Sequence, residues 1–390
     1  MIPAISAFVG WGTNVVAVKM MFYPLDFFGI RPYLGWQGIV PRHARALAGR
    51  STELITTKLI KLSSLFEDFD AHGFAGHVHG PIGDLVDQIV ADIAGRFAPK
   101  MWDSLDESAR DQVRGAVRDE IETVTVGILD DMGDAIEDIV DLKATVMDVA
   151  ERDRALIGEM FQTVGVEEFK FIRRSGAYFG FAFGIIQMLA WVGYPAWWVL
   201  PFFGFFVGYA TNWLALKLIF EPAEPRKLGP IEVQGLFHKR QHAVAKEFAT
   251  LVSRDVLNPE NMVAKMVSGE TGERFFAIVE ARLDRVIDKY RAHPMAAAVI
   301  PEAQWDELRA EVFARLRHEL PKPGGFLYIF TDKAINVYRE LSDRMTRLDS
   351  QSFEGVLRPA FQKDEWKLIV AGAVLGFGAG ILQLVYIFGD

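Results

Sequence analysis

The chain has 390 residues, 51% apolar and 24% charged, with a formal net charge of −9 and no cysteine. The missing cysteines exclude disulfides, thiolate metal sites, iron–sulfur ligation and thiol nucleophiles together. Residues 66–168 hold 25 acidic and 8 basic side chains, against 22 of each in residues 222–365. An acidic region of that size argues against nucleic acid as a partner, because such binding neutralises phosphates with Lys and Arg.

Residues 2–22 form an apolar run of 21 residues, close to the roughly 20 that cross a hydrocarbon core as a helix. The run lacks a basic n-region and an A-x-A cleavage site, so it reads as a retained first span rather than a signal peptide. The polar region 23–175 is mostly helical in pattern, with Tyr33–Val40 as a short strand and Ile231–Phe237 as its counterpart in the second half. Leu54, Leu59, Leu62 and Leu65 recur at helical spacing. Ala71–Gly83 (AHGFAGHVHGPIG) reads as a Gly- and Pro-punctuated break. Ser104 with Glu107 reads as a capping box opening the next helix. Leu129, Met132, Ile136, Ile139, Val146 and Ala150 fall on heptad a and d positions, which predicts one long amphipathic, coiled-coil-like helix.

Further apolar runs at 176–194, 196–220 and 368–388 complete four transmembrane helices, the middle two forming a hairpin at Pro195. Between the last two lies a second helical region, 221–367. There Asn258-Pro259-Glu260 reads as an N-cap with Pro at N1, and Lys322–Gly325 (KPGG) as a helix break.

The spans repeat. Gly10, Thr13, Asn14, Ala17, Lys19, Phe22 and Pro24 recur 198 positions later as Gly208, Thr211, Asn212, Ala215, Lys217, Phe220 and Pro222. Gly176, Gly180, Phe181, Gly184, Ile185 and Gln187 recur 196 positions later as Gly372, Gly376, Phe377, Gly380, Ile381 and Gln383. Gln37-Gly38 with Gln234-Gly235, and Trp102-Asp103 with Trp305-Asp306, are weaker echoes. The chain therefore reads as an all-α membrane protein of two parallel repeats, 1–195 and 196–390, each a span, a helical region and a span. Lys19, Arg31, Lys170, Arg173, Arg174, Arg226, Lys227, Lys363 and Lys367 crowd one end of the spans, whereas Trp191, Tyr194, Trp197 and Trp198 mark the uncharged hairpin tip. The positive-inside rule then places both helical regions in the cytoplasm and both termini outside.

The paired G-x-x-T-N-x-x-A-x-K-x-x-F-x-P segments and G-x-x-x-G-x-x-x-G-x-x-Q spans resemble the YheB-like bacterial membrane proteins, a family defined by a domain of unknown function. The resemblance covers essentially the full chain; Val15 departs from it, standing where Trp is expected, as at Trp213. It implies an integral protein of the bacterial cytoplasmic membrane and supplies no activity.

Asn14 and Asn212 lie near mid-span, with Lys19 and Lys217 nearer the cytoplasmic end. A charge at the centre of a span costs about 2.5–3.5 kcal/mol on insertion scales. The lysines sit close enough to the end to snorkel. The asparagines, with Gln187 and Gln383, serve either as interhelical hydrogen bonds or as a polar path. The ladders Gly176/Gly180/Gly184 and Gly372/Gly376/Gly380 predict close helix packing. His72, His77 and His79 are too irregularly spaced to predict a metal site. The acidic run Asp130, Asp131, Asp134, Glu137, Asp138 and Asp141 reads as a solvated helix face, or as the partner of Arg309, Arg315, Arg317, Arg339, Arg344 and Arg347. No catalytic or nucleotide motif is present, so no catalytic residue, metal or cofactor is expected. The sequence thus supports a non-enzymatic membrane-anchored scaffold. It would contact the bilayer and, through its cytoplasmic helices, a second copy or a protein partner. The alternative is an oligomeric transporter or channel for a lipid or small solute.

Overall fold

The computed structural model describes the chain except residues 31–33, 55–60, 64–68, 295, 297–299, 359–361, 363 and 388–390. Eight helices organise it: α1 (Ile2–Phe22), α2 (Ala71–Phe97), α3 (Glu107–Asp134), α4 (Val166–Gly193), α5 (Val199–Phe220), α6 (Gly269–Arg291), α7 (Trp305–Glu319) and α8 (Glu365–Ile387). Four short strands form two antiparallel hairpins, β1 (Phe28–Ile30) with β2 (Leu34–Trp36), and β3 (Arg226–Leu228) with β4 (Ile231–Val233). Two compact units result, each assembled from separate stretches of sequence. The first comprises Met1–Ile55, Val146–Leu251 and Tyr338–Asp390; the second, Thr56–Thr145 and Val252–Val337.

The first unit holds α1, α4, α5 and α8, each long and apolar enough to cross a membrane. Tyr178, Leu189, Val192, Phe202, Val374 and Tyr386 lie more than half exposed on these helices. So dense an apolar surface suits hydrocarbon rather than water. Helices α4 and α8 begin before the apolar runs, at Val166 and Glu365, and residues 194–198, not Pro195 alone, link α4 to α5.

The chain leaves α1 and α5 by the same route. A cis proline (Tyr23–Pro24, Glu221–Pro222) ends each helix and a hairpin follows. Each glycine after the hairpin then donates its N–H to the proline carbonyl at 2.9 Å, Gly38 to Pro24 and Gly235 to Pro222. The preceding glutamine closes the loop, Gln37 Nε2 donating to Leu25 O at 2.8 Å and Gln234 Nε2 to Ala223 O at 3.1 Å. A Cβ on Gly38 would lie 2.6 Å from the Phe22 carbonyl carbon, and one on Gly235 2.7 Å from Ile219 O. That is the physical content of the Gln-Gly echo. The strands expected at Tyr33–Val40 and Ile231–Phe237 shrink to three residues each, because Ile39–Val40 and Leu236–Phe237 already belong to the helices after the glycines; Tyr33 lies outside the described residues.

In the second unit α2 packs on α3, α3 on α6, α6 on α7 and α7 on α2, a closed ring of four helices. Ion pairs lace every seam: Asp87–Arg118, Asp131–Arg282, Asp284–Arg309 and Asp92–Arg315 in that order.

Four expectations are corrected here. Ala71–Gly83 is not a break but the first half of α2, started by Asp70, whose side chain accepts from Gly73 N at 2.8 Å. Burial of Phe74, Ala75 and Val78, with the Phe74 ring against Phe326 and Phe330, outweighs the poor helix propensity of the glycines. Helix α3 is capped by Asp106, which accepts from Ala109 N, and not by Ser104, whose hydroxyl turns back to Met101 O. The heptad stretch is not one helix. It breaks at Ala135 and again at Val140, where the backbone is extended and Asp141 accepts from Ala144 N to begin Leu142–Arg152. All six heptad residues are buried, yet Leu129 to Ile139 belong to the second unit and Val146 and Ala150 to the first. The acidic run is mostly exposed, as a solvated face would be, and its ion pairs are not with the arginines expected. Asp131 and Asp138 bind Arg282 and Arg274 of α6, while Arg309, Arg315 and Arg317 bind Asp284, Asp92 and Glu280. Asn258 does cap its helix, accepting from Asn261 N at 2.8 Å, and Gly324 turns at φ +76° before Phe326–Lys333.

Asp131 accepts from Arg282 Nε at 2.5 Å and Nη2 at 2.6 Å, and that hydrogen-bonded guanidinium holds its carboxyl below the ordinary value of 3.8. A depressed folded-state pKa means the pair's contribution is complete above 3.8 and disappears as pH falls through the folded value. Asp131→Asn should therefore lower the stability of the ring by about 1 kcal/mol at neutral pH. In urea titrations followed by amide exchange in α3 and α6, variant and native curves should converge as pH falls below 3.8 and through the folded value. A gap unchanged at acid pH would contradict the assignment.

Candidate functional site

The seam between α1 and α4 is built backbone to backbone. A Cβ on Gly176 would strike the Gly10 carbonyl, one on Gly180 the Ser6 carbonyl, and one on Gly184 would come within 2.7 Å of Pro3 Cα and Ser6 Cβ. The second seam repeats the first: Gly372 faces Gly208, Gly376 faces Gly204, and Gly380 faces Leu200 and Pro201. The facing residues advance by four on one helix as they retreat by four on the other, so each pair is antiparallel. Only a hydrogen fits at these positions.

Next along each seam sits an asparagine. Asn14 Nδ2 donates to Ile172 O at 2.6 Å, and Asn212 Nδ2 to Leu368 O at 2.9 Å. Both are buried, and both amide oxygens lack a hydrogen-bond partner among the described residues. Thr13 and Thr211 turn their hydroxyls onto Gly10 O and Gly208 O of their own helices. Ser6 Oγ donates to Gln187 Oε1 at 2.7 Å, and Gln187 Nε2 reaches Gln383 Oε1 at 3.5 Å. The two glutamines thereby join the α1–α4 pair to the α5–α8 pair. Lys19 and Lys217 are exposed. Lys217 Nζ lies over the Trp213 ring at 5.0 Å and 3.5 Å from Glu221; Val15 can offer Lys19 no such ring.

Two base–acid side-chain contacts in this unit escaped the sequence reading. His43 Nε2 lies 2.8 Å from Asp364 Oδ2, and Arg240 Nη1 contacts both carboxylate oxygens of Glu168 at 2.9 Å. Asp364 and Glu168 are almost wholly buried. Each base stands five residues after its hairpin glycine and each acid eight before the first ladder glycine. Position would have revealed the correspondence. Residue identity could not, because His answers Arg and Asp answers Glu.

No three metal-binding side chains converge among the described residues. His72 and His79 are exposed on α2, and the side chain of His77 lies outside the described residues.

The second unit contains something the sequence did not suggest. Its four-helix ring borders an apolar cavity of about 360 Å³. Ile89 and Ile93 of α2, Ile121 of α3, Leu283 of α6 and Leu308 of α7 line it, and among the described residues no charged side chain does. Protein interiors normally pack with voids no larger than a water molecule. Trp305, also in the lining, is 4% exposed, and its indole N–H has no partner among the described residues.

Four apolar helices joined through glycine seams define a multi-pass α-helical membrane protein. The chain is similar over 88 residues to a UPF0754 membrane protein of Bacillus pumilus, at 33% identity, covering 22% of this chain and 23% of the relative. UPF0754 membrane proteins of Bacillus cereus and Bacillus thuringiensis match at 30% over 87 residues, with the same coverage. The match thus spans about a quarter of these relatives' length, and their names state a membrane protein and no activity. No family model and no solved structure matches the chain.

The geometry separates glycine from asparagine energetically. Gly180→Leu should force α1 and α4 apart at a cost of about 3 kcal/mol or more, since overpacking a tight contact costs 1–3 kcal/mol where the surroundings can yield. Asn212→Leu should cost about 1 kcal/mol, the worth of an interhelical hydrogen bond in lipid. Unfolding of the reconstituted protein would rank the two; equal losses would contradict the glycine seam.

Proposed function

We propose that this protein is a non-enzymatic scaffold of the cytoplasmic membrane, made of two copies of one helix-pair unit, 1–195 and 196–390. Its helical regions face the cytoplasm and serve lipid, a second copy or another protein. The observation that carries the reading is the burial of Asn14, Asn212, Gln187 and Gln383, none more than 5% exposed. The Asn14 and Asn212 amide nitrogens donate to backbone carbonyls, and Gln187 accepts from Ser6 and donates to Gln383. A solute path needs polar groups that meet water; these act as fasteners between helices.

The duplication reading is supported by contacts as well as letters. Glycine ladder, asparagine bond, cis proline, hairpin and Gln-Gly closure occur once after another in each half, in the same order. Sidedness rests on charge. Lys19, Lys170, Arg173, Arg174, Arg226, Lys227 and Lys367 lie towards one end of the four helices, and Tyr194, Trp197 and Trp198 at the other. Both helix pairs run in the same sense, which makes the pseudo-two-fold axis parallel to the membrane normal.

The cysteine-free chain offers a direct test. Asn14→Cys and Asn212→Cys should both resist a membrane-impermeant thiol reagent, in intact and in opened cells. Lys100→Cys on the helical region should label only after opening, and Trp197→Cys at the hairpin tip in intact cells. Labelling of both mid-span cysteines would replace the scaffold with a transporter using these residues as its path.

A further inference from the structure

We propose that the hairpin β1–β2 is a membrane-inserted wedge, held beside the end of α1 with Phe28 and Ile30 in the hydrocarbon edge of the bilayer. Phe28 is 79% and Ile30 74% exposed, large apolar side chains with little protein around them. In the strand register Phe28 stands opposite Trp36, and Ile30 opposite Leu34. Residues directly opposite in an antiparallel pair project from the same face. Trp36 fixes which way that face looks: its indole Nε1 donates to Met20 O at 3.2 Å, in the last turn of α1. Phe28 and Ile30 therefore lie on the side of the hairpin that is turned to the span. The other face carries Gly29 and Gly35, where a Cβ on Gly35 would strike the Phe27 ring.

This face continues the lipid-facing surface of α1. Phe8, Trp11 and Val16 are exposed along one side of that helix. Lys19 is exposed on the same side, and a lysine near the end of a span carries its ammonium out to the headgroups. The hydrocarbon edge thus lies near the last turn of α1, the level of Met20. Tyr23, the residue after the helix, is half-exposed; Tyr and Trp concentrate at that depth. The hairpin is fixed there by Trp36, and its two ends are tied by Gly38 N–H on Pro24 O and Gln37 Nε2 on Leu25 O. Apolar faces lying in an interface reach about 5–10 Å into the boundary of headgroups and acyl chains. Asp26 is the one charged residue in 23–30, and it precedes the strand. The second hairpin supplies a contrast within the same chain. Arg226 stands in the place of Phe28, 198 positions on, and is exposed. Val233 stands opposite it, without the side-chain N–H that Trp36 uses.

The inference goes beyond the scaffold reading and rests on the spans alone, so mid-span thiol labelling and hairpin depth can fail separately. The full cysteine-free chain would be reconstituted in phospholipid nanodiscs, with a nitroxide attached in turn at Phe28→Cys, Ile30→Cys, Arg226→Cys and Lys100→Cys. Collisions of each nitroxide with oxygen, which concentrates in hydrocarbon, are then compared with those of a water-soluble nickel chelate. Labels at positions 28 and 30 should favour oxygen, and labels at 226 and 100 the chelate. Equal access of the chelate to positions 28 and 226 would place the hairpin in water and overturn the proposal. Shielding of 28 and 30 from both reagents would mean that a second copy or another protein covers the face, and would overturn it too. Phe28 and Ile30 are so exposed that their replacement removes little packing, and the unlabelled cysteines give a check free of the nitroxide. In opened cells Phe28→Cys should react with a membrane-impermeant thiol reagent about tenfold more slowly than Arg226→Cys, since the thiolate is the reactive form and apolar surroundings suppress it. Equal rates at the two positions sink the idea.

Discussion

The first unit depends on one constraint, the approach of helix backbones across two glycine seams. In lipid the helices gain nothing from leaving water, so association rests on van der Waals contact and on hydrogen bonds that hydrocarbon cannot supply. Gly10 against Gly176 and Gly208 against Gly372 bring backbone within reach of backbone. That nearness puts Asn14 and Asn212 within hydrogen-bonding distance of Ile172 O and Leu368 O on the opposite helices. A helix pair held 1 Å further apart would lose the asparagine bonds as well as the packing. The costly polar groups and the glycines are one device.

The second unit solves a different problem by different means. Charge lies on the outside of its helices, where Asp87–Arg118, Asp131–Arg282, Asp284–Arg309 and Asp92–Arg315 tie neighbour to neighbour. Exposed pairs of this kind contribute little energy singly; here one lies on each seam and fixes which helix adjoins which. The interior is left to apolar side chains, and they do not fill it. A glycine seam, in which backbone touches backbone, leaves no such space.

Several readings failed where local rules met tertiary contacts. The Gly-rich stretch Ala71–Gly83 is helical because Phe74 and Val78 are buried. The heptads correctly marked buried residues but not a continuous helix, since periodicity survives a break of two residues while Asp141 starts a new cap. The acidic run had the right charge and the wrong partners, because net charge specifies a sign and not an address. The stripe Ile82, Val86, Ile89 and Ile93 lies on one face of α2; whether other faces close upon it depends on four helices drawn from both halves.

The sequence alone determined the four spans, their polar insertions and the pairing of motifs across the two halves. Those features follow from hydropathy and spacing, which act along the chain. Tertiary structure decided which helices share a seam, where the asparagine amides go, and that His43 meets Asp364 while Arg240 meets Glu168. It alone produced the cavity. Packing is a property of facing surfaces, and a surface facing another at a distance of a hundred residues or more leaves no local mark.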